Sequence, residues 1–230
     1  MKKIGLIGGM SWESSLVYYK YLNERTKELL GGFHSCNCIM ESVDFAEIEV
    51  LQSKDDWNAL DKTMARAAKN LENANADLVI LCTNTMHLCE DAIRDSISLP
   101  FIHIAQATGE AIQKQGLTKV LLLGTRFTME KDFYRKTLLD DFGIEVLIPN
   151  AEDRTLIHNT IYNELIQGNI LEASKNAFKD IINSSIENGA QGAILGCTEI
   201  PLLIKSHDVE IPVFNTTELH AETALQMALH

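Results

Sequence analysis

Leu78-Val-Ile-Leu-Cys82-Thr-Asn-Thr85 and Ala193-Ile-Leu-Gly-Cys197-Thr-Glu199 resemble each other, and each sets a cysteine at the end of a short apolar run. The two cysteines lie 115 residues apart in a chain of 230, so the likeness points to an internal repeat with one thiol in each half. A brief apolar run bounded by polar, turn-forming residues suits a buried strand and is too short for a helix. A thiol at the end of such a strand in each half suggests two facing lobes with a reactive group on each wall of a cleft. Chemistry that needs a base on one side and an acid on the other would use that arrangement.

The repeat extends along both halves. Ile4-Gly-Leu-Ile-Gly-Gly-Met10 matches Val120-Leu-Leu-Leu-Gly-Thr-Arg126, a strand running into a glycine turn. Asn75-Ala-Asp-Leu-Val-Ile-Leu-Cys82 matches Gly189-Ala-Gln-Gly-Ala-Ile-Leu-Gly-Cys197. Leu99-Pro-Phe-Ile-His-Ile-Ala-Gln-Ala-Thr-Gly-Glu110 matches Ile211-Pro-Val-Phe-Asn-Thr-Thr-Glu-Leu-His-Ala-Glu222. Short apolar runs alternate with amphipathic stretches, the pattern of a parallel α/β sheet. Strands are expected over residues 3–7, 37–43, 78–81, 101–104, 120–123, 145–148, 193–195 and 213–214. Over residues 13–30, Tyr18, Leu22 and Leu29 share a helical face before Gly31 stops the helix. Phe178, Ile181, Ile182 and Ile186 do the same over residues 171–188, which end at Gly189.

The expected fold is therefore α/β, with two pseudo-symmetric lobes, each a roughly four-stranded parallel sheet flanked by helices, and an active site in the cleft between them. Because the last helix corresponds to residues 105–114, the lobes are expected to exchange elements: residues 1–99 with 213–230 make the N-terminal lobe, and 100–212 the C-terminal lobe. Ligands of such sheets bind beyond the carboxyl ends of the strands. Gly8-Gly9-Met10-Ser11, Cys82 to Thr85, Gly124-Thr125 and Gly196 to Glu199 occupy those positions.

Composition narrows the function classes. Twenty Lys and Arg stand against 32 Asp and Glu, a formal net charge of −12. That balance argues against a nucleic-acid surface or an anionic membrane, which attract basic patches, and not against an anionic small molecule, which backbone amides can bind locally. No apolar run reaches the roughly 18 residues of a membrane span. The start, Met1-Lys-Lys-Ile-Gly-Leu-Ile-Gly-Gly9, breaks at glycines after three apolar residues and reads as a buried strand, so a cytoplasmic protein is expected. Five cysteines lack the spacing of a disulfide framework, and no His/Cys cluster suggests zinc. Gly5-Leu-Ile-Gly-Gly9 lacks the spacing of a dinucleotide fingerprint, and no phosphate-loop lysine follows it.

The second motif, Ala193-Ile-Leu-Gly-Cys-Thr-Glu-Ile-Pro-Leu-Leu203, is the most specific signal in the chain. Here the sequence resembles the cofactor-independent aspartate/glutamate racemase family, whose members carry an N-terminal motif of the type C-N-T-x-H and a C-terminal motif of the type G-C-T-[DEH]. The Gly8-Gly9-Met10 and Leu123-Gly124-Thr125 turns also fit, and the resemblance covers nearly the whole chain. It implies that two groups on opposite faces of a substrate α-carbon exchange its proton, without pyridoxal phosphate or a metal, and that Cys197 is one of them. The first motif departs from the pattern. It reads Cys82-Thr83-Asn84-Thr85-Met86-His87, with one residue between the cysteine and Asn-Thr. If Asn-Thr fixes the register, Thr83 takes the family's cysteine position; otherwise Cys82 does. Neighbours on an extended backbone point opposite ways, so only one of them faces the substrate.

A thiol, with a reference pKa of about 8.5, becomes a useful base when a helix N-terminus lowers it. A threonine hydroxyl can donate or polarise but is a poor base unaided. A Thr/Cys pair would favour abstraction by Cys197, and any one-way behaviour would be kinetic, since enantiomers have equal free energy in water. The substrate carboxylates need donors, and turns that open onto helix starts supply free N–H groups. Met10, Ser11, Asn84, Thr85, Thr125 and Thr198 are so placed, and the hydroxyl and amide residues among them also suit helix capping. Gln52 stands where some relatives place a basic residue for a side-chain carboxylate. Glu199 suits the orientation of a substrate ammonium or of Cys197, or simply a helix start. Cys36, Cys38 and Cys89 read as packing residues, and His87 and His220 receive no role.

The expected function is racemisation of aspartate or glutamate, with an amino acid as the only small-molecule partner and, by analogy with relatives, a homodimer. Two rival readings stay open. A single-thiol relative would decarboxylate malonates or isomerise a cis-diacid such as maleate. A two-lobed amino-acid sensor would bind without catalysis.

Overall fold

The strand-end glycines show how tightly this chain is wound. The computed structural model describes all residues from Met1 to His230, and in it Gly9 adopts a φ of +94°. A Cβ on Gly9 would stand 2.1 Å from the Val43 carbonyl oxygen, so only glycine fits this turn. The elements run β1 (Ile4–Gly8), α1 (Trp12–Leu30), β2 (Cys38–Ser42), α2 (Phe45–Ser53), α3 (Trp57–Asn73), β3 (Leu78–Leu81), a 3₁₀ turn (Thr85–Cys89) and α4 (Glu90–Ser96). They continue α5 (Ile104–Lys114), β4 (Lys119–Gly124), α6 (Arg126–Glu130), α7 (Asp132–Phe142), β5 (Glu145–Leu147), α8 (Ala151–Asn163), a 3₁₀ turn (Leu165–Gln167), α9 (Glu172–Glu187), β6 (Ala193–Gly196), α10 (Ile200–Leu203), β7 (Val213–Asn215) and α11 (Thr216–Leu229). No helix is long and apolar enough to cross a membrane.

The chain forms two units, Met1–Ile104 with His220–His230, and Ala105–Leu219. The first holds a parallel sheet of order β2-β1-β3. Every residue of β1 and β3 is buried, as in a parallel sheet covered on both faces. The faces separate with period two. Ile4, Leu6, Leu78, Ile80 and Cys82 pack with Tyr18 and Leu22 of α1 and with Ala221, Ala224, Leu225 and Ala228 of α11. Ile7, Val79 and Leu81 pack with α3 through Leu60, Met64 and Leu71. The second unit holds a parallel sheet of order β5-β4-β6-β7. There Leu121, Leu123, Ala193, Leu195 and Cys197 pack with Ile157 and Ile161 of α8 and Phe178 and Ile182 of α9.

Two sheets of parallel strands flanked by helices are what the repeat predicts, with three corrections in detail. The expected strand over residues 101–104 shrinks to a single parallel bridge, Val79 to Phe101. Its first two ladder bonds form, from the Val79 amide to the Pro100 carbonyl and from the Ile102 amide to the Val79 carbonyl. The next two ladder groups are held by imidazoles instead. The Ile102 carbonyl receives His220 Nε2 at 2.9 Å, and the Ile104 amide donates to His87 Nε2 at 3.2 Å. Leu29 is exposed because α1, at about 1.5 Å per residue, outruns a sheet whose strands span about 17 Å, and Ile186 is half-buried near the end of α9. The expected boundaries, 1–99 with 213–230 and 100–212, move by a few residues: β7 pairs with β6, so residues 213–219 stay with the second sheet, and α11 changes unit at His220.

Candidate active site

Ladder register decides which residues of the two halves are counterparts. β1 and β4 match as Ile7 with Leu123 and Gly8 with Gly124, both runs ending in a glycine turn. Within the first unit Ile7 pairs with Leu81, and within the second Leu123 pairs with Leu195. Leu81 therefore corresponds to Leu195. One residue on, Cys82 corresponds to Gly196, and Thr83 to Cys197. The bridge of Val79 to Phe101 and the pairing of Ala193 with Val213 obey the same register.

Side-chain environments agree with it. Cys82 is fully buried in the core against α1 and α11, in phase with Leu78 and Ile80. Burial, with a smaller contribution from Cys38, pushes its thiol up. The Cys82 amide continues the ladder to the Ile7 carbonyl at 2.9 Å. Thr83 follows as a half-buried residue whose amide turns back to the Leu81 carbonyl, also at 2.9 Å.

At the other strand end a glycine pair brings β4 and β6 together. A Cβ on Gly196 would stand 2.8 Å from the Leu123 carbonyl, and one on Gly124 would stand 2.8 Å from the Gly196 carbonyl. Cys197 follows directly, 9% exposed. Its Sγ–H donates to Glu199 Oε2 at 2.9 Å, and the Thr198 hydroxyl donates to the same oxygen at 2.8 Å. Burial, then the Glu199 charge and its hydrogen bond, hold the thiol well above its ordinary value, while the Thr198 and Glu199 amides oppose them. The resting group is thus a protonated thiol beside a buried carboxylate that can receive its proton. The amides aimed at sulfur would stabilise the thiolate once formed.

The remaining candidates sit on the turns. Ser11 caps α1 through its hydroxyl, which accepts from the Ser14 amide, and Thr125 caps α6 by accepting from the Thr128 amide. Both are buried, as are Met10, Asn84 and Thr85. Gln52 is buried on α2 and donates through Nε2 to the sulfur of Met86 at 3.1 Å. Met10, Ser11, Gln52, Asn84 and Thr85 belong to the first unit, Thr125, Thr198 and Glu199 to the second. All five cysteines are free, and no group of three or more His, Cys, Asp or Glu side chains is arranged to hold a metal ion. Cys36 and Cys89 are buried packing residues, and Cys38 is half-buried beside the first core. His87, the histidine that closes the N-terminal motif and received no role from the sequence, sets its Nδ1 2.8 Å from the Thr83 carbonyl.

One strand end of this duplicated parallel α/β unit thus carries a thiol and a carboxylate, and the matching end of its twin carries a hydroxyl. Solved structures sharing the fold include a candidate Asp/Glu racemase from Yersinia pestis, 47% identical over the whole of both chains with a TM-score of 0.95. Another is an aspartate racemase homologue from Pyrococcus horikoshii OT3, 39% identical over the whole of both chains with a TM-score of 0.89. Among curated proteins, the broad specificity amino-acid racemase RacX of Bacillus subtilis (strain 168) is 21% identical over 98% of each chain. The sequence model of the Asp/Glu/Hydantoin racemase family matches residues 7–224. The chain belongs to that family and is an enzyme of the isomerase class.

Proposed function

We propose that the protein racemises aspartate or glutamate by two-base exchange of the α-proton, with Cys197 acting on one face of the α-carbon and Thr83 on the other. The observation that carries this reading is the ladder register, which makes Thr83 the counterpart of Cys197 while Cys82 lies in the core. In the forward half-reaction Glu199 takes the Cys197 proton and the thiolate removes the α-proton. The Thr83 hydroxyl then gives its proton to the opposite face and regains one from solvent, while Glu199 releases the proton it took back to solvent. In reverse, the Thr83 oxygen must abstract, which an unaided hydroxyl does poorly. Because the two enantiomers have equal free energy, the asymmetry falls on kcat and KM separately while kcat/KM stays equal in both directions. Amides and hydroxyls at Met10, Ser11, Asn84, Thr85, Thr125 and Thr198 would hold the substrate's carboxylates and stabilise the charge that develops on proton removal. Gln52 would meet the side-chain carboxylate as a neutral donor. No pyridoxal phosphate or metal enters the scheme. A homodimer accompanies this reading, and Trp12, Leu16 and Tyr19, exposed at helical spacing on α1, form one of the apolar surfaces it could use.

Proton NMR of L- and D-aspartate and L- and D-glutamate in D₂O, with chiral analysis of each mixture, tests the proposal. Loss of the α-proton signal together with the opposite enantiomer is expected for one or both amino acids. No exchange with either would sink it. The core position of Cys82 leaves one cysteine at the two strand ends, and that observation favours a single-thiol decarboxylase or cis-diacid isomerase as the second reading. Carbon dioxide release from substituted malonates, or fumarate from maleate, would identify it.

A further inference from the structure

Thr83 is half-exposed, yet its backbone is held from both sides. Its amide donates to the Leu81 carbonyl at 2.9 Å, and its carbonyl meets His87 Nδ1 at 2.8 Å. The second contact fixes the state of the imidazole. A backbone N–H can only donate, so the Ile104 amide, 3.2 Å from Nε2, makes Nε2 the bare nitrogen. Nδ1 then carries the proton and donates it to Thr83, whose carbonyl can only accept. One neutral tautomer satisfies both bonds. The surroundings keep it neutral: His87 is 1% exposed, with the rings of His103 and His220 centred 4.6 and 5.5 Å away. His220 is itself committed, to the Ile102 carbonyl through Nε2 and to the Tyr18 hydroxyl through Nδ1.

We propose that His87 is a positioning residue for Thr83: its Nδ1–H fixes the peptide plane after Thr83, while Nε2 anchors that plane to the start of α5. The inference rests on the reading of Thr83 as the second acid/base. A peptide unit is planar and trans, so holding the Thr83 oxygen also aims the Asn84 N–H in the opposite direction. With the Thr83 amide already bonded to Leu81, the hydroxyl keeps only the freedom of one side-chain torsion. A proton donor so placed needs no backbone rearrangement at the moment of transfer. At the matching end of β6 the thiol is held by its own side-chain partner, Glu199, and the Cys197 carbonyl accepts from the Ile200 amide at 3.3 Å, not from an imidazole.

The test separates the two faces. In D₂O, the enantiomer deprotonated by Cys197 can take up deuterium with retention, without help from Thr83. Inversion requires Thr83. His87→Gln keeps an acceptor near the Nε2 position and loses the donor to Thr83, whereas His87→Asn keeps a donor near Nδ1. His87→Gln should slow inversion by about 10²-fold while exchange with retention stays within about threefold. His87→Asn should recover at least about tenfold of that loss. Exchange and inversion falling together, or neither falling, would overturn the positioning role. Thr83→Ala is run beside them. If it inverts as fast as the parent, the reading of Thr83 fails and the role of His87 goes with it. A slow Thr83→Ala with an unchanged His87→Gln removes the role of His87 alone. Nitrogen-15 NMR of the histidine-labelled native protein gives a readout independent of activity and of variant folding. His87 should carry its proton on Nδ1 at neutral pH, and a proton on Nε2, or an imidazolium, would overturn the proposal.

Discussion

The ends of β3 and β6 occupy equivalent places in two copies of one fold and are built differently. At β6 a thiol follows a glycine, in the register that the ladder sets, and donates to Glu199, which the Thr198 hydroxyl also meets. At β3 a cysteine stands where the glycine should be, so its thiol points into the core. The residue in register is a threonine, held through its backbone by His87. One strand end is built around side-chain electrostatics and the other around backbone placement. A short motif read along the sequence pairs cysteine with cysteine, while the sheet pairs Cys197 with Thr83.

The most direct way to break that comparison is to delete each candidate in turn. Cys197→Ala should lose about 10³- to 10⁴-fold in turnover with its fold intact, the upper range for removal of a general acid/base. Thr83→Ala should lose about 10²-fold or more in inversion. Cys82→Ala should keep turnover within a few-fold and cost about 1–2 kcal/mol in stability, because it removes only a buried sulfur. Turnover measured beside denaturant titration checks all three, and a Cys82→Ala variant as dead as Cys197→Ala would invert the register argument.

A second, smaller effect distinguishes the units by their imidazoles. Burial holds His220 down to about 4 and His103 to about 3, His103 also feeling His220 and Arg94, with Glu90 3.3 Å away. His87 is depressed by the same burial and by its two neighbours. A depressed folded-state value means stability that is fully present above the unfolded value near 6.5 and is lost as pH falls toward the folded one. By pH 5 His103 and His220 should each cost about 2 kcal/mol, and His87 adds a loss of the same sign. All three belong to the first unit, and so do both tryptophans, Trp12 and Trp57. The midpoint of thermal denaturation followed by tryptophan emission should therefore drop clearly between pH 7 and pH 5. An unchanged midpoint would show that these imidazoles are not held neutral.

The smallest expected effect sharpens the other strand end. Glu199→Gln removes the charge that raises the Cys197 thiol, so the pH profile of its alkylation should move to lower pH. The same substitution removes the acceptor for the thiol proton, so turnover at neutral pH should fall although the thiol becomes more acidic. Alkylation rates and turnover measured across one pH series separate these opposing consequences. An unmoved alkylation profile would mean that burial alone sets the thiol.

Much of the fold was legible because it depends on local pattern. Apolar runs such as Leu78 to Leu81 and Val120 to Leu123 end in glycine or polar turns, and their repetition in order gave two parallel sheets and the family. The fourth strand of the first sheet was not legible. Phe101 to Ile104 has the composition of its counterpart at Val213, and it fails to pair further because His87 and His220, distant in sequence, hold its ladder groups. The helix caps at Ser11 and Thr125 were legible, since a hydroxyl before an amphipathic run meets amides only two or three residues away.

The sequence alone determined which residues with usable chemistry lie at the strand ends, because strand termination is set by glycine, polar residues and period over a few positions. It left Cys82 and Thr83 as equal candidates, since adjacent side chains differ only in the face they take, and a face has no meaning until a partner strand fixes the register. The pairing of Ile7 with Leu81 and of Leu123 with Leu195 supplied that register. Tertiary structure also brought the His87 imidazole onto the Thr83 carbonyl and the Ile104 amide at once. Its tautomer follows from partners on both sides of the ring, which no single stretch of sequence contains.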